Sequence, residues 1–292
     1  MTVLIDRTGG RGAPLPPNKS KSKSISASAL PRRIESARAA ERLALQLAEA
    51  GALFAVSHSG GKDSQAMLLT LLALGIDPSQ IVLFYADLGD VMWDGATDHI
   101  RNTAGNLPLV VCTPASGFFD MVDRRGMFPT PAIRNCTSDL KRGPIRREIR
   151  RWVKARPDHS RIVVSCTGLR AEESADRASK PVMRFDAGAS KAGRVWYEWL
   201  PIHALTESDV RAVVAGAEQD LHPVYGMGFG RFSCPFCFYA SDRDHRRAAQ
   251  ILPRLYARYC QREVRHGHTL SPTRRSLPER TGIEPSKAGV EP

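Results

Sequence analysis

The segment Phe54-Ala55-Val56-Ser57-His58-Ser59-Gly60-Gly61-Lys62-Asp63-Ser64-Gln65-Ala66-Met67 decides how the chain folds. An apolar run that is typical of a buried strand breaks into a Ser/Gly turn and continues as a Leu-rich helix. The first backbone N–H groups of such a helix have no intrahelical partner, and anions bind there. We therefore interpret the segment as a phosphate-binding loop between a strand at 52–57 and a helix at 64–74.

The side chains of this loop suit a phosphate. Its glycines allow close backbone approach, its lysine adds a positive charge and its serines add hydroxyl donors: Gly60, Gly61, Lys62, Ser59 and Ser64. The Walker A spacing is not met, because Lys62 is followed by Asp63 instead of Ser or Thr. This argues against a P-loop NTPase. A Ser/Gly turn that only caps a helix is the structural alternative.

Composition sets limits on the class of protein. A chain of 292 residues is long enough for one large α/β domain or for a core domain with appendages. Its net charge of +12 suits a polyanionic partner such as ATP, a sulfonucleotide or a nucleic acid, although a solvated basic surface gives the same balance. No apolar run reaches the roughly 18 residues of a membrane span, so we expect a cytoplasmic protein without membrane contact.

Strands and helices alternate after the loop. The strand Ile81–Ala86 ends in Asp87-Leu88-Gly89-Asp90, and strand–helix–strand spacing of this length implies a parallel sheet. Ligands of such sheets lie beyond the carboxyl ends of the strands, which is where the loop and Asp87 fall. A cap for a helix at 95–105 is the other interpretation of Asp87. Further strands are predicted at 107–112, 161–167 and, at an edge, 195–202.

The predicted fold is a doubly wound parallel α/β sheet with a Cys-containing helical extension at the C-terminus. The Pro-, Ser- and Lys-rich segment 1–31 is expected to be a disordered basic arm, which either contacts nucleic acid or only solvates the chain. The α/β domain is placed at 32–220. A Cys-x-x-Cys and helical region follows at 221–268, with one helix at 240–265, and a disordered tail at 269–292.

The six cysteines do not suggest a disulfide framework in a cytosolic chain. Cys136 is flanked by five cationic residues, which favour the reactive thiolate. Cys234 and Cys237 form a Cys-x-x-Cys, which is half of a metal site or a redox pair. Buried, unreactive thiols are the alternative for all three.

A charged run follows the strand at 161–167. In Gly168-Leu169-Arg170-Ala171-Glu172-Glu173-Ser174-Ala175-Asp176-Arg177, two arginines flank several carboxylates. Such a run can hold a phosphate or sulfate, with the acids orienting the guanidinium groups or a metal ion. A surface cluster of salt bridges explains it equally well.

The hexapeptide 59–64 resembles the pyrophosphatase loop, or PP-loop, of the adenine nucleotide alpha-hydrolase superfamily. Members bind ATP or a related adenylate and cut or form the bond between the α and β phosphates. Four more motifs agree with it: the Asp87 turn, the run from Cys136 to Arg142, the run from Gly168 to Arg177, and Cys234-x-x-Cys237. Together they resemble the phosphoadenosine phosphosulfate (PAPS) reductase family over residues 52 to 240.

Two departures separate the chain from assimilatory sulfonucleotide reductases. Those enzymes usually carry a degenerate first loop and a catalytic cysteine in a C-terminal Glu-Cys-Gly-x-His stretch. Here the loop is of the intact ATP type, and no cysteine follows Cys260. Both differences argue against the reductase reaction.

The resemblance implies roles for individual residues. The loop residues would hold the β and γ phosphates of ATP, with Asp87, Gly89 and Gly168 beside the nucleotide. Asp63 or Asp87 would help to place Mg²⁺, and Arg170 or Arg177 would stabilise charge that develops on the transferred group. Lys62, Asp63, Arg170 and Cys136 are the predicted catalytic residues.

The resemblance also implies a metal site. In the iron–sulfur branch of the family, adjacent cysteines and a Cys-x-x-Cys hold a [4Fe–4S] cluster. This chain matches three of those ligands, Cys136, Cys234 and Cys237, and Cys166 or Cys260 would supply a fourth unless one iron stays open. Zinc is the lesser alternative and needs a ligand such as His222.

Three functions follow. The first is an ATP-using enzyme that adenylates an acceptor, releases pyrophosphate and passes sulfur from a donor protein. The second is a sulfonucleotide reductase acting on PAPS or APS, with a reductant protein and with Cys136 or the Cys234/Cys237 pair in place of the missing cysteine. The third is a non-catalytic module that binds nucleotide or nucleic acid through the basic arm and residues 141–151.

Overall fold

The structure is a computed structural model and describes residues 31–156 and 158–285. It contains one mixed sheet with strands β1 (Arg33–Ile34), β2 (Leu53–Ser57), β3 (Ile81–Ala86), β4 (Leu109–Cys112), β5 (Ile162–Thr167), β6 (Met183–Phe185) and β7 (Val195–Trp199). The strand order is β1-β6-β7-β5-β2-β3-β4. All pairs from β7 to β4 are parallel, which places their carboxyl ends at one edge of the sheet.

Helices cover both faces of the sheet. They are α1 (Ala37–Glu49), α2 (Lys62–Ala73), α3 (Ala96–Ala104), α4 (Phe118–Arg125), α5 (Asn135–Thr137), α6 (Gly143–Lys154), α7 (Ala175–Ala178), α8 (Glu207–Gly216), α9 (Asp242–Ile251), α10 (Pro253–His266) and α11 (Leu277–Thr281). A π-helical turn, Ser138–Arg142, joins α5 to α6. The prediction of a doubly wound, mostly parallel α/β sheet is confirmed.

Strand β2 shows why the central strands read as continuous apolar runs. Phe54 and Val56 pack into the core under α1, α2 and α8, whereas Leu53 and Ala55 pack into the core under α6. On a sheet with one solvated face, every second residue of a strand would be polar. Because both faces of β2 are buried, all its core positions are apolar instead. The strand is therefore fixed from both sides, and so is the loop that follows it.

The predicted edge position of strand 195–202 is wrong. Strand β7 lies inside the sheet, parallel to β5 on one side and antiparallel to β6 on the other. On this side the sheet continues with β6 and ends at β1; these two strands have three and two residues and pair antiparallel. Strands this short carry too little alternation to be recognised in a sequence.

The C-terminal predictions need two corrections. The single helix expected at 240–265 is broken at Leu252, because Pro253 lacks the N–H that would continue it. The tail expected to be disordered from 269 is folded through 285 and contains α11. Its Leu277 is fully buried, and the buried Glu263 carboxylate accepts hydrogen bonds from two backbone amides of this tail, at 2.8 and 2.7 Å.

The predicted arm at 1–31 lies outside the described residues except for Pro31, and so do residues 286–292 of the predicted tail. In the described part of the chain, no helix is long and apolar enough to cross a membrane.

Candidate active site

A cleft of about 640 Å³ opens at the carboxyl ends of β2, β3 and β5. Four segments line it: the loop after β2, the turn after β5, the stretch that leads into α6, and a segment near residue 230. Predicted site residues at its wall are Ser59, Lys62, Asp63, Ser64, Gly168 and Arg170. The structure thus brings together residues that are separated by about a hundred positions in the sequence.

The loop is held by its own side chains. The Ser64 hydroxyl donates to the Gly61 carbonyl at 2.8 Å and accepts from the Ser59 amide at 3.2 Å. The Gly60 amide donates to His58 Nδ1 at 3.2 Å. Gly60 has a φ of +86°, a conformation that residues with a Cβ rarely adopt. The chain can therefore make this turn before Gly61 because position 60 is a glycine.

His58 is a residue of the loop that the sequence analysis did not select. Burial, and then the charge of His99, lower the pKa of His58 to about 3. His58 is therefore a neutral imidazole whose Nδ1 accepts a hydrogen bond and whose Nε2 carries the proton. Only its position next to the loop could have marked it, since a lone histidine is usually a core residue.

Three charged side chains form a chain of ion pairs across the floor of the cleft. Asp63 receives Lys62 Nζ on one carboxylate oxygen at 3.1 Å and Arg170 Nε on the other at 2.6 Å. Lys62 and Arg170 are each only 4% exposed. Burial lowers the pKa of Arg170, but the hydrogen bonds and charges of Asp63, Glu172 and Glu173 together outweigh burial and raise it. Asp63 thus pairs with both cations at the cleft, and Arg170 also pairs with Glu172.

Gly168 lets the turn after β5 approach the loop closely. A Cβ at this position would lie 3.0 Å from the Asp63 backbone oxygen. This contact is closer than real Cβ atoms ordinarily make, so a side chain here would separate Arg170 from Asp63. Gly168 therefore lies beside the loop for a packing reason, and its predicted contact with a nucleotide stays a prediction.

More cations come from the stretch that leads into α6. Lys141, Arg142 and Arg146 line the cleft, as does Arg231 from the opposite side. Arg146 pairs with Asp186 and Glu198. Within residues 31–156 and 158–285, Arg142 and Arg231 form no ion pair with a carboxylate. The cleft is thus electropositive at this end, which suits an anionic ligand.

Cys136, Cys234 and Cys237 lie near one another at the same end. Lys141 Nζ is 3.6 Å from Cys234 Sγ, and Cys234 Sγ is 3.4 Å from Met92 Sδ. The expectation that cations favour a Cys136 thiolate is wrong. Burial, followed by the neighbouring Cys234, raises the pKa of Cys136 to about 11, although the charge of Lys141 and a hydrogen bond with Thr137 lower it.

The donor set does not fit the predicted cluster or zinc. Among the described residues, no three His, Cys, Asp or Glu side chains are arranged to hold a metal ion. Cys166 is buried on β5 and donates to the Val164 carbonyl, and His222 packs on His99. Neither these residues nor Cys260, which is buried on α10, supply a fourth ligand among the described residues, and the Lys141 ammonium would repel a cation at Cys234. We derive no step through a metal at these thiols.

Mg²⁺ has the same difficulty at Asp63, because both carboxylate oxygens already accept from cations. Asp87 Oδ1 accepts the Gly89 amide at 2.9 Å in the turn after β3, where Gly89 has a φ of +66°. Arg177 pairs with Glu173. These three predicted residues, Asp87, Gly89 and Arg177, do not line the cleft.

Two aromatic residues reach the loop from a distant part of the chain. Tyr225 Oη accepts the Lys62 amide at 3.0 Å, and Phe232 packs against Gly60 and Gly61. Sequence reasoning noted this stretch for its Cys-x-x-Cys alone. No local pattern indicates that an aromatic side chain will cross to a loop more than 160 residues away.

The chain was compared with known proteins. It is 29% identical over 127 residues to an uncharacterized 37.8 kDa protein of Escherichia phage 186; the match covers 44% of this chain and 36% of the phage protein. Among solved structures, a phosphoadenylyl-sulfate reductase of Candida auris in a phosphate complex has a TM-score of 0.40 at 14% identity, and covers 68% of this chain and 88% of that one.

An FMN adenylyltransferase of Candida glabrata in complex with FAD and inorganic pyrophosphate has a TM-score of 0.43 at 13% identity, covering 68% of this chain and 62% of that one. These structural likenesses are weak. The family match is much broader, since the phosphoadenosine phosphosulfate reductase domain matches residues 54–239, more than half of the chain. The chain therefore belongs to the phosphoadenosine phosphosulfate reductase domain family.

Proposed function

We propose that the protein is an enzyme that binds ATP through its PP-loop, adenylates an acceptor with release of pyrophosphate, and couples this step to sulfur transfer. The observation that supports it most is the intact loop whose Lys62, Asp63 and Arg170 form one buried ion-pair chain at a cleft. The α2 N-terminus and Lys62 would hold the leaving pyrophosphate.

The reaction needs a nucleophile and a stabilised leaving group. An oxygen of the acceptor attacks the α phosphorus, the bond from that phosphorus to the pyrophosphate oxygen breaks, and pyrophosphate leaves with its electron pair. Arg170 is held at the cleft by Asp63 and would stabilise the negative charge that grows on the phosphate oxygens. A sulfur nucleophile from a donor then displaces AMP from the adenylated acceptor.

A thiol at the other end of the cleft would receive the outer sulfur of a donor persulfide: the donor's S–S bond breaks, the donor leaves as a thiol, and the thiol of this chain becomes the persulfide. Lys141 lines the cleft and contacts Cys234. An anionic group bound to Lys141 in the cleft would therefore lie between the loop and the Cys234 thiol. Burial raises the pKa of Cys237 and of Cys136, so both stay protonated near neutral pH. Because its sulfur contacts Lys141, which lines the cleft, Cys234 is the thiol that we assign to sulfur delivery, with Cys136 and Cys237 as its neighbours.

The contact between Lys141 and Cys234 also favours a second function, a thiol-dependent reductase of PAPS or APS. The electropositive end of the cleft, lined by Arg142, Arg231 and the Lys141 that contacts Cys234, would suit a sulfate group. This second function lacks the C-terminal catalytic cysteine, and it does not explain an intact ATP-type loop.

Product analysis separates the two. The purified protein is incubated with MgATP and a protein-free cell extract as the source of acceptor, or with PAPS and a dithiol, and pyrophosphate and sulfite are measured. We expect pyrophosphate from ATP, lost in Lys62→Met, and no sulfite. Sulfite from PAPS without pyrophosphate from ATP would establish the reductase instead. With neither product, nucleotide binding without turnover would be left, and the proposed reaction would be wrong.

A further inference from the structure

The segment 222–232 links the loop to the thiols. At its first part, Tyr225 Oη accepts the backbone N–H of Lys62 at 3.0 Å. At its end, the Phe232 ring lies against the loop. A Cβ added at Gly60 would lie 3.5 Å from this ring, and a Cβ added at Gly61 would lie 2.9 Å from Phe232 Cβ. Gly61 is therefore needed for the segment to sit this close.

The contact with Lys62 uses a donor that a phosphate would need. The Lys62 amide is the first N–H of α2, and such groups have no partner within their own helix. In this structure Tyr225 supplies the partner. An anion that takes this N–H must therefore displace the Tyr225 hydroxyl, and the two partners compete for one donor.

The hydroxyl is suited to be displaced. Burial raises the pKa of Tyr225 to about 12, so the side chain is neutral at ordinary pH. A neutral hydroxyl makes a weaker hydrogen bond to an amide than a phosphate oxygen does. The ring is kept nearby by the Arg211 guanidinium, 5.7 Å from its centroid, so a displaced Tyr225 stays close to the loop.

The other end of the segment reaches a thiol. Cys234 follows Phe232 by two residues, and its sulfur contacts Lys141 and Met92. Phe232, Lys141 and Met92 line the same cleft as the loop. A shift of Phe232 away from the glycines thus moves the backbone that carries Cys234.

We propose that Tyr225 is a positioning residue that couples phosphate binding at the loop to the exposure of Cys234. An anion at the Lys62 amide releases Tyr225, the segment 222–232 moves off the loop, and Cys234 becomes more accessible. This coupling rests on the proposed function, since it needs the loop to bind phosphate. Energetically, it requires only that the anion bind the released state more tightly than the tethered one.

The test uses inorganic pyrophosphate as the probe and the full chain. Pyrophosphate binding is measured by calorimetry, and the rate of Cys234 alkylation by iodoacetamide is followed by peptide mass spectrometry. We expect saturating pyrophosphate to raise this rate about fivefold or more. In Tyr225→Phe, pyrophosphate still binds, but the rate no longer responds to it.

A matched control is Tyr197→Phe, which removes another buried hydroxyl, bonded to the Pro31 carbonyl at 2.9 Å and far from the loop. This variant should respond like the wild type. If Tyr225→Phe does not fold, Phe232→Leu removes the ring contact with the glycines and should abolish the response in the same way.

The outcomes separate the two proposals. Pyrophosphate binding without a rise in the Cys234 rate overturns the coupling and leaves the proposed function standing. A Tyr225→Phe variant that still responds overturns the role of Tyr225. No pyrophosphate binding by the wild type overturns both.

Discussion

The two ends of the cleft are built in different ways. At the loop end, Lys62 and Asp63 are adjacent in the sequence, and their charges are paired with Arg170 from the neighbouring strand end. At the thiol end, Cys136, Lys141 and Cys234 come from segments about a hundred residues apart, and the cations include some without carboxylate partners among the described residues. The loop itself is thus encoded locally, whereas its ion pair with Arg170 and the whole thiol end exist only when the chain has folded.

The largest expected effect tests the ion pairs of the loop end. Replacing Arg170 by Met leaves Asp63 with one cation at a buried site, and we expect the free energy of unfolding to fall by about 3 kcal/mol. Urea denaturation with an unchanged m-value measures it. The control is Arg177→Met, where the pair with Glu173 is more exposed and a loss of at most about 1 kcal/mol is expected. Equal losses would contradict a special role of the Arg170 pair.

The second prediction breaks the contact between the two ends. In Gly61→Ala, the new methyl group would lie 2.9 Å from Phe232 Cβ, and overpacking should lower the free energy of unfolding by about 2 kcal/mol. Gly216→Ala is the control, because its Cβ would meet nothing within 4 Å. A Gly61→Ala variant as stable as Gly216→Ala would show that segment 222–232 does not press on the loop.

The third prediction concerns pH. His58 has a folded pKa of about 3, below its unfolded value of 6.5, so acid protonates the unfolded chain first and stability falls as the pH drops from about 7 toward 3. His58→Gln should reduce the loss of unfolding free energy between pH 7 and pH 5 by about 2 kcal/mol. Urea titrations at the two pH values measure it. An unchanged loss would mean that His58 is not buried neutral.

The smallest expected effect tests the folded tail behind the thiol end. Tyr256 Oη lies 2.8 Å from Thr281 Oγ1 and donates to the Ile283 carbonyl at 2.7 Å. Tyr256→Phe should lower the free energy of unfolding by about 1 kcal/mol. Tyr239→Phe, at an exposed tyrosine, should change it by less than about 0.5 kcal/mol. No difference between them would mean that residues 269–285 are not docked.

The sequence predicts the loop end well for a physical reason. A buried strand, two glycines and a helix N-terminus are neighbours in the chain, so one local pattern specifies the strand, the turn and the first backbone amides of the helix. The position of Arg170 follows from the parallel sheet, because β5 pairs with β2 and their carboxyl ends meet. The fold class and the loop residues can therefore be predicted from local patterns alone.

The thiol end is less predictable. Charge near Cys136 in the sequence suggested a thiolate, but burial of the side chain dominates its pKa. Burial depends on the whole fold, and so do the contacts of Tyr225 and Phe232 with the loop. The folded tail was missed because its Pro- and Arg-rich composition hides a few anchoring contacts, such as those of Glu263.

The most direct measurement for the central claim is a calorimetric titration of the protein with MgATP, in the presence and absence of inorganic pyrophosphate. The account predicts ATP binding that pyrophosphate competes away, and a loss of affinity of about 10- to 100-fold in Lys62→Met, because a charge-assisted contact to phosphate is removed. Lys180→Met, at an exposed lysine paired with Asp176, should bind like the wild type. ATP binding that is unaffected by pyrophosphate and by Lys62→Met would contradict a PP-loop at this site.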